Sequence, residues 1–461
     1  MVLRVFRHFV PVSILCLAIS DLVLVSLAFH LSAGGAPLLS SRIPAILGSP
    51  PNQLSAMAAV AALLSGLYDD KSFATYRTLL AQIFLSFVFC SAVILAGNFY
   101  FSGWSMPADW LWEGQKAVVT WLVCILFTRT VFVSLTDLNA FKRRVLVLGA
   151  GRNAARVAAL ARNSGMLNFT VVAHVKDASL LEQDAAAPDA GTETVLLKAR
   201  QLRVQEIVLA TDDRRGLPIK QLLQCRRDGI KVTNYLDFIE RETNSIDIDA
   251  LQPGWLLLCD GFRLSHWRRV AKRYIDVLLS LALLLLSLPL MLATALLIFL
   301  DSGAPVLYRQ ERVGMGGRPF VLLKFRSMKT DAERDGKARW AASNDARVTR
   351  VGSIIRKFRI DELPQLLNVL RGDMSFVGPR PERPVFVDEL SNQIPFYAER
   401  HWVKPGITGW AQVKYRYGSS LEDARTKLSY DLYYVKNQSP FLDLIIALQT
   451  IRVVLRADGA R

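Results

Sequence analysis

The stretch at 274–300, YIDVLLSLALLLLSLPLMLATALLIFL, constrains this chain more than any other. Its only charged residue is Asp276, and it exceeds the roughly 20 residues that a helix needs to cross the hydrocarbon core of a bilayer. Both flanks are basic. Arg268, Arg269, Lys272 and Arg273 precede it, and Arg309, Arg312 and Arg318 follow it, a charge that marks the cytoplasmic side of membrane segments. A segment with both ends on one side must turn back. Pro289 lies near the middle, where it removes a backbone hydrogen bond and clashes with the carbonyl of Leu285, and Ser287 is placed to satisfy part of the freed backbone. The sequence therefore predicts a broken, re-entrant helix. The competing arrangement, a kinked spanning helix, would put everything after residue 300 outside the cell.

The rest of the chain also belongs to a membrane protein. Of 461 residues, 52% are hydrophobic, and apolar stretches occupy about 10–30, 54–68, 79–97 and 117–136. Arg4 and Arg7 before the first, Lys71 and Arg77 between the second and third, and Lys142, Arg143 and Arg144 after the fourth predict that both ends of this bundle face the cytoplasm. The opposite loops carry only Arg42 and Lys116 as basic residues, and Trp104, Trp110 and Trp112 suit an interfacial belt. No A-x-A-like cleavage site follows the first run, so it reads as a retained anchor. The net charge of +16 suits nucleic acid, anionic headgroups or phosphorylated substrates, and the membrane segments select the last two. Cysteines at 16, 90, 124, 225 and 259 form no C-x-x-C pair and suggest neither a disulfide framework nor a zinc site.

After the basic stop comes RVLVLGAGRNAARVAALARNSG, a strand followed by Gly149-x-Gly151-x-x-Ala154 and a helix pattern, as in a dinucleotide-type turn. Further strand patterns (FTVVAHV, EIVLAT, KVTNY) alternate with helical stretches up to about residue 265. The turn suits a phosphate at a helix N-terminus or close packing alone, and no cofactor is assigned to it. Membrane-anchored nucleotide-sugar dehydratases share this layout but need a Y-x-x-x-K, and no lysine here has tyrosine four residues earlier.

From 301 onward the chain turns polar and basic. In RIDELPQLLNVLRGDMSFVGPRPE, Asp361 and Glu362 stand at a helix start, with Pro364 in the first turn and Leu366, Leu367, Val369 and Leu370 as the buried face. Acids there stabilise a helix by about 0.3–1 kcal/mol, so a plain capping role competes with a chemical one. Arg356, Arg359 and Arg380, the last between Pro379 and Pro381, are donors suited to phosphate oxygens. A carboxylate can attack phosphorus and a neighbouring acid can hold Mg2+ through hard oxygens.

DELPQLLNVLRGDMSFVGPRP, together with KPGITGWAQV and KFRSM, resembles the bacterial sugar transferase family, the monotopic polyprenyl-phosphate hexose-1-phosphate transferases. The resemblance covers about 268–461, and the preceding spans and α/β unit resemble the large members that initiate exopolysaccharide or O-antigen assembly. It implies transfer of a sugar 1-phosphate from a UDP-sugar, commonly glucose or galactose, to undecaprenyl phosphate, with release of UMP and a need for Mg2+. Asp361 matches the residue that forms a covalent phosphosugar, Glu362 the acid tied with it to the metal, and Arg380 the phosphate-contacting arginine. Arg356 matches a basic position before the dyad, and Lys324 and Arg326 match further basic, substrate-binding positions. The family's helix break has serine directly before proline, whereas here Leu288 intervenes between Ser287 and Pro289. A homodimer and membrane-lipid contacts follow from the resemblance, and no nucleic-acid partner is expected.

The predicted architecture is a membrane α-helical bundle (1–140), a Rossmann-like α/β domain (141–265) and a mixed, mainly α C-terminal catalytic domain (266–461) with the re-entrant membrane helix, at the bacterial inner membrane and facing the cytoplasm. The Lys404–Trp410 turn reads as active-site wall or structural loop, His401 as a surface or hydrogen-bonding residue, and Trp267 and the stretch SPFLDLIIALQTIRVVL as interfacial. The rival function is a scaffold or regulator with an inactive transferase domain and a nucleotide-sensing α/β domain.

Overall fold

The computed structural model describes residues 2–5, 8–32, 61–63, 65–68, 76–101, 108–136, 142–163, 169–175, 195–212, 217–258, 266–329, 347–415, 418 and 420–455. The chain divides into two compact units, Met1–Val5 with Phe9–Glu242, and Phe6–His8 with Thr243–Arg461.

In the first unit, the apolar runs form helices Val12–Ser32, Tyr76–Phe101 and Ala108–Thr136. Of the 54–68 run only 61–63 and 65–68 are described, and Ala61, Ala62 and Leu67 pack against Leu79, Ile83, Val118, Trp121 and Ile125. Phe84, Val123 and Phe127 stay exposed, which gives these helices an apolar outer face. Inside, Asp21 and Arg129 form a buried ion pair of 2.7 Å, and the hydroxyls of Tyr68 and Thr128 donate to Asp21 at 2.8 and 2.9 Å. These partners offset the cost of burying the two charges. Trp104 and the side chains of Trp110 and Trp112 lie outside the described residues.

The strand patterns after residue 141 form a parallel sheet: β1 (Arg143–Leu148), β2 (Phe169–Val175), β3 (Glu206–Leu209) and β4 (Lys231–Asn234), in the order β2-β1-β3-β4. Leu146, Leu148 and Ile207 are fully buried, as both-sided cover of a parallel sheet demands. Helices Arg152–Asn163, Val195–Gln201 and Ile219–Arg227 make the connections. A Cβ at Gly149 would run into the backbone of Thr211, and one at Gly151, which has φ +100°, into the carboxylate of Asp212. Both glycines are thus required by close approach. The Asp212 carboxylate thus lies beside Gly151, at the turn opening the Arg152–Asn163 helix.

The second unit is mainly helical. Its long helix, His266–Ser302, is by length and composition able to cross a bilayer, and most of its apolar stretch, Leu285, Leu286, Leu292 and Leu300 among it, is exposed. Pro289 lies inside this helix, with helical residues on both sides of it. Ser287 Oγ donates to the Leu284 carbonyl at 3.5 Å, three residues back in its own turn.

Both ends of this helix grip the same domain. At its start, Lys272 Nζ donates to Asp443 at 2.8 Å, Arg273 donates to the Val369 and Leu370 carbonyls, and Asp276 accepts from the Phe376 amide at 3.1 Å. At its end, Ile298 packs on Phe325 and Ile355. A straight helix would separate Lys272 and Ser302 by about 45 Å. The remaining elements are the antiparallel hairpin β5 (Leu307–Val313) and β6 (Pro319–Phe325), helices Arg350–Lys357, Gln365–Arg371, Pro384–Gln393, Leu421–Asn437 and Pro440–Leu455, and a parallel pair β7 (Ser375–Val377) and β8 (Gly406–Thr408). On the last helix Leu442 and Ile446 are buried while Leu444 and Ile451 are exposed, and Trp267 is exposed.

Candidate active site

The site begins where a short amphipathic helix stops. Arg350–Lys357 ends at Phe358, and Arg359 adopts the left-handed conformation with φ 57°, rare for a residue with a side chain. That reversal starts the tight turn Ile360–Glu362, which buries both acids ahead of Gln365–Arg371. It also brings the Arg359 guanidinium back to within 3.4 Å of Glu362 Oε1.

The Gln365–Arg371 helix is fastened by a residue that hydropathy does not flag. Asn368 is fully buried: its Oδ1 accepts from the Leu323 amide at 3.0 Å and its Nδ2 donates to the Val321 carbonyl at 2.7 Å, so it pairs with β6 as a strand neighbour would. Through that junction Lys324, on the same strand, reaches Glu362 Oε1 at 3.3 Å.

The third cation comes from the Pro-Arg-Pro turn, whose position is set by three glycines. A Cβ at Gly378 would strike the Lys404 carbonyl, one at Gly406 the Gly378 amide, and one at Gly409 the Gly378 carbonyl. The backbones lie so close that Gly378 N donates to Thr408 O at 2.8 Å and Gly406 N to Pro379 O at 2.9 Å. The Lys404–Trp410 turn is therefore the support of Pro379–Pro381. From it Arg380 Nη2 donates to Glu362 Oε1 at 2.9 Å.

Three cations thus converge on one oxygen of Glu362, whereas Asp361 Oδ1 is buried with no hydrogen-bond partner. Burial and the neighbouring Glu362 charge push the Asp361 carboxyl up to about 6. Burial acts the same way on Glu362, but Arg380, Lys324 and Arg359 outweigh it and hold that acid well below the usual carboxylate range. Burial also lowers the Lys324 ammonium. Two carboxylates facing Lys324, Arg359 and Arg380 leave a positive surplus suited to phosphate oxygens. Of the pair, Asp361 keeps one buried oxygen without a hydrogen-bond partner.

Four of the expected residues, Asp361, Glu362, Lys324 and Arg380, meet here. Arg326 is held elsewhere. Arg326 donates through Nη2 to the Ser302 and Gly303 carbonyls at 2.8 and 2.6 Å, capping the end of the long helix, because the chain leaves the hairpin after Phe325. Arg356 lies in the last turn of its helix, and Arg359, past the helix end, donates to Glu362. His401 is buried rather than superficial; burial and then Arg400 lower its pKa to about 4, keeping it neutral.

Sequence comparisons agree with this geometry. The family described as bacterial sugar transferase matches residues 267–457. A UDP-N-acetylgalactosamine-undecaprenyl-phosphate N-acetylgalactosaminephosphotransferase of Aeromonas hydrophila is 46% identical over 253 residues, 55% of this chain and 59% of that one. An undecaprenyl-phosphate glucose phosphotransferase of Komagataeibacter xylinus is 32% identical over 79% of this chain and 68% of its own. A UDP-galactose-lipid carrier transferase of Erwinia amylovora is 29% identical over 97% of both chains. The converging cations, the open aspartate oxygen and these matches lead to one conclusion: the chain belongs to the bacterial sugar transferase family.

Proposed function

We propose that the protein transfers a sugar 1-phosphate from a UDP-sugar to a polyprenyl phosphate, the lipid carrier in the relatives' names being undecaprenyl phosphate, as an initiating step of polysaccharide assembly. The observation that carries this reading is the buried Asp361 with one oxygen unpartnered, beside an acid saturated by cations. Asp361 attacks the sugar-bearing phosphorus, the bond to the bridging oxygen breaks, and UMP leaves. A phosphate oxygen of the lipid then attacks the same phosphorus, the bond to Asp361 breaks, and a sugar diphospholipid forms with the carboxylate restored. Lys324, Arg359 and Arg380 balance the phosphate charge during both displacements.

Two adjacent carboxylates without a histidine suit Mg2+, which takes few protein oxygens and completes its shell with water and phosphate. Asp361 and Glu362 would hold it, and when bound it would neutralise diphosphate charge.

A cytoplasmic catalytic domain with a re-entrant His266–Ser302 helix completes the proposal. It is supported by basic flanks on both sides and by the attachment of both helix ends to one domain, which a span separating them across a bilayer would not permit. The helices of the first unit would make the protein multi-pass.

The sugar is a UDP-linked hexose or N-acetylhexosamine, since the named relatives use N-acetylgalactosamine, glucose and galactose. The test is UMP release by purified protein with undecaprenyl phosphate, Mg2+ and a panel of UDP-sugars. Release with one sugar is expected, and no release with any would end this reading.

A further inference from the structure

We propose that Arg400, with Asp431 as its counter-ion, is a positioning residue that holds Arg380 from behind so that its guanidinium faces Glu362. The inference rests on the transfer reaction proposed above and adds a residue pair to its machinery.

The Pro-Arg-Pro turn has a mechanical problem. Pro379 and Pro381 lack N–H groups, so the turn is short of donors with which to anchor itself, and its carbonyls must serve instead. All three are taken. Pro379 O accepts from Gly406 N at 2.9 Å, Arg380 O from Arg400 Nη2 at 3.0 Å, and Pro381 O from Arg312 Nη1 at 3.1 Å. Pro381 restricts the preceding Arg380 to an extended ψ, and Arg400 meets the carbonyl so presented, fixing where within that range it points.

Arg400 is itself held rigidly. It is 5% exposed and its partner Asp431, on the Leu421–Asn437 helix, is 2% exposed. Nε and Nη2 both donate to Asp431 Oδ2, at 3.1 and 2.7 Å, and Nη1 donates to the Tyr397 hydroxyl at 3.1 Å. A buried ion pair of this kind is weak as a source of stability, since apolar residues of similar volume often replace one without loss. A guanidinium fork does what an apolar residue cannot: it ties the Leu421–Asn437 helix to the backbone of a phosphate-binding residue. Misplacing such a residue by about 1 Å can cost on the order of 100-fold in rate.

The experiment measures initial UMP release against UDP-sugar concentration for Arg400→Lys and for the pair Arg400→Met with Asp431→Leu, each in the native and in the Arg380→Ala background. Arg400→Lys keeps a charge for Asp431 but loses the fork, and the double replacement leaves no charge unpaired. Thermal melting in detergent selects the variants that fold, and Arg400→Lys decides if the double replacement does not. A fall of tenfold or more in kcat/KM for the donor is expected in the native background, with less than twofold further loss once Arg380 is absent. Equal losses in both backgrounds would make the pair merely structural and overturn the proposal. So would native-like kcat/KM in a folded Arg400→Lys variant. If the unsubstituted protein released no UMP, the underlying reaction would fail, and this inference with it.

Discussion

Arg380 Nη2 lies 2.9 Å from Glu362 Oε1, a contact between residues 18 apart in sequence that splits an adjacent acid pair into two roles. Glu362 is kept ionised by its cations, and its charge in turn helps burial to raise Asp361. Environments that push neighbouring carboxyls apart assign their chemistry. In the proposed reaction the saturated acid holds charge and the raised, open one attacks phosphorus.

Removing Arg380 should therefore injure both binding and the dyad. Arg380→Ala deletes a charge-assisted hydrogen bond worth about 1.5–3 kcal/mol, so kcat/KM for the UDP-sugar should fall by roughly 10- to 100-fold. Steady-state UMP release measures this, and an unchanged value would detach Arg380 from the site.

The pH profile should report Asp361. Its carboxyl, raised to about 6, must be ionised to attack, so kcat/KM should decline with unit slope as pH falls below about 6. Glu362→Gln removes the like charge next to it and should move that limb to lower pH in whatever activity remains. The stability sign is opposite. A carboxyl raised in the folded state contributes stability that is fully present below its unfolded value of 3.8 and is lost as pH rises through about 6. A limb that stayed in place in Glu362→Gln would contradict the coupling.

Lys324 and Arg326, two residues apart, should separate in their kinetic effects. Lys324→Gln removes a cation from Glu362 and should lower kcat/KM by tenfold or more. Arg326→Gln removes the cap on the Ser302 and Gly303 carbonyls and should lower the melting temperature while leaving kcat/KM within about threefold. A large rate loss in folded Arg326→Gln would return it to the substrate-binding set.

Asn368→Ala strands the Leu323 amide and the Val321 carbonyl in the core. A loss of about 2–3 kcal/mol is expected, read as a lower denaturant midpoint with unchanged slope.

The dyad, the Pro-Arg-Pro arginine and the long apolar helix were legible because each is a local pattern of charge or hydropathy. So were the four parallel strands, whose β-branched and leucine runs alternate with helices. What escaped depends on partners distant in sequence. Arg356 and Arg359 have the spacing of one helical face, but the helix ends between them and a left-handed residue redirects the chain. Asn368 interrupts an apolar pattern, and its meaning comes from a strand 45 residues away. The interlocked Gly378, Gly406 and Gly409 read as turn residues until their backbones are seen to touch.

Mass spectrometry of the quenched protein tests the central claim most directly. Incubated with its UDP-sugar and Mg2+ but no lipid acceptor, the protein should release about one equivalent of UMP and carry the sugar phosphate on the peptide containing Asp361, with the adduct lost on adding polyprenyl phosphate. Acceptor-dependent turnover without any adduct, or full turnover by Asp361→Asn, would contradict it.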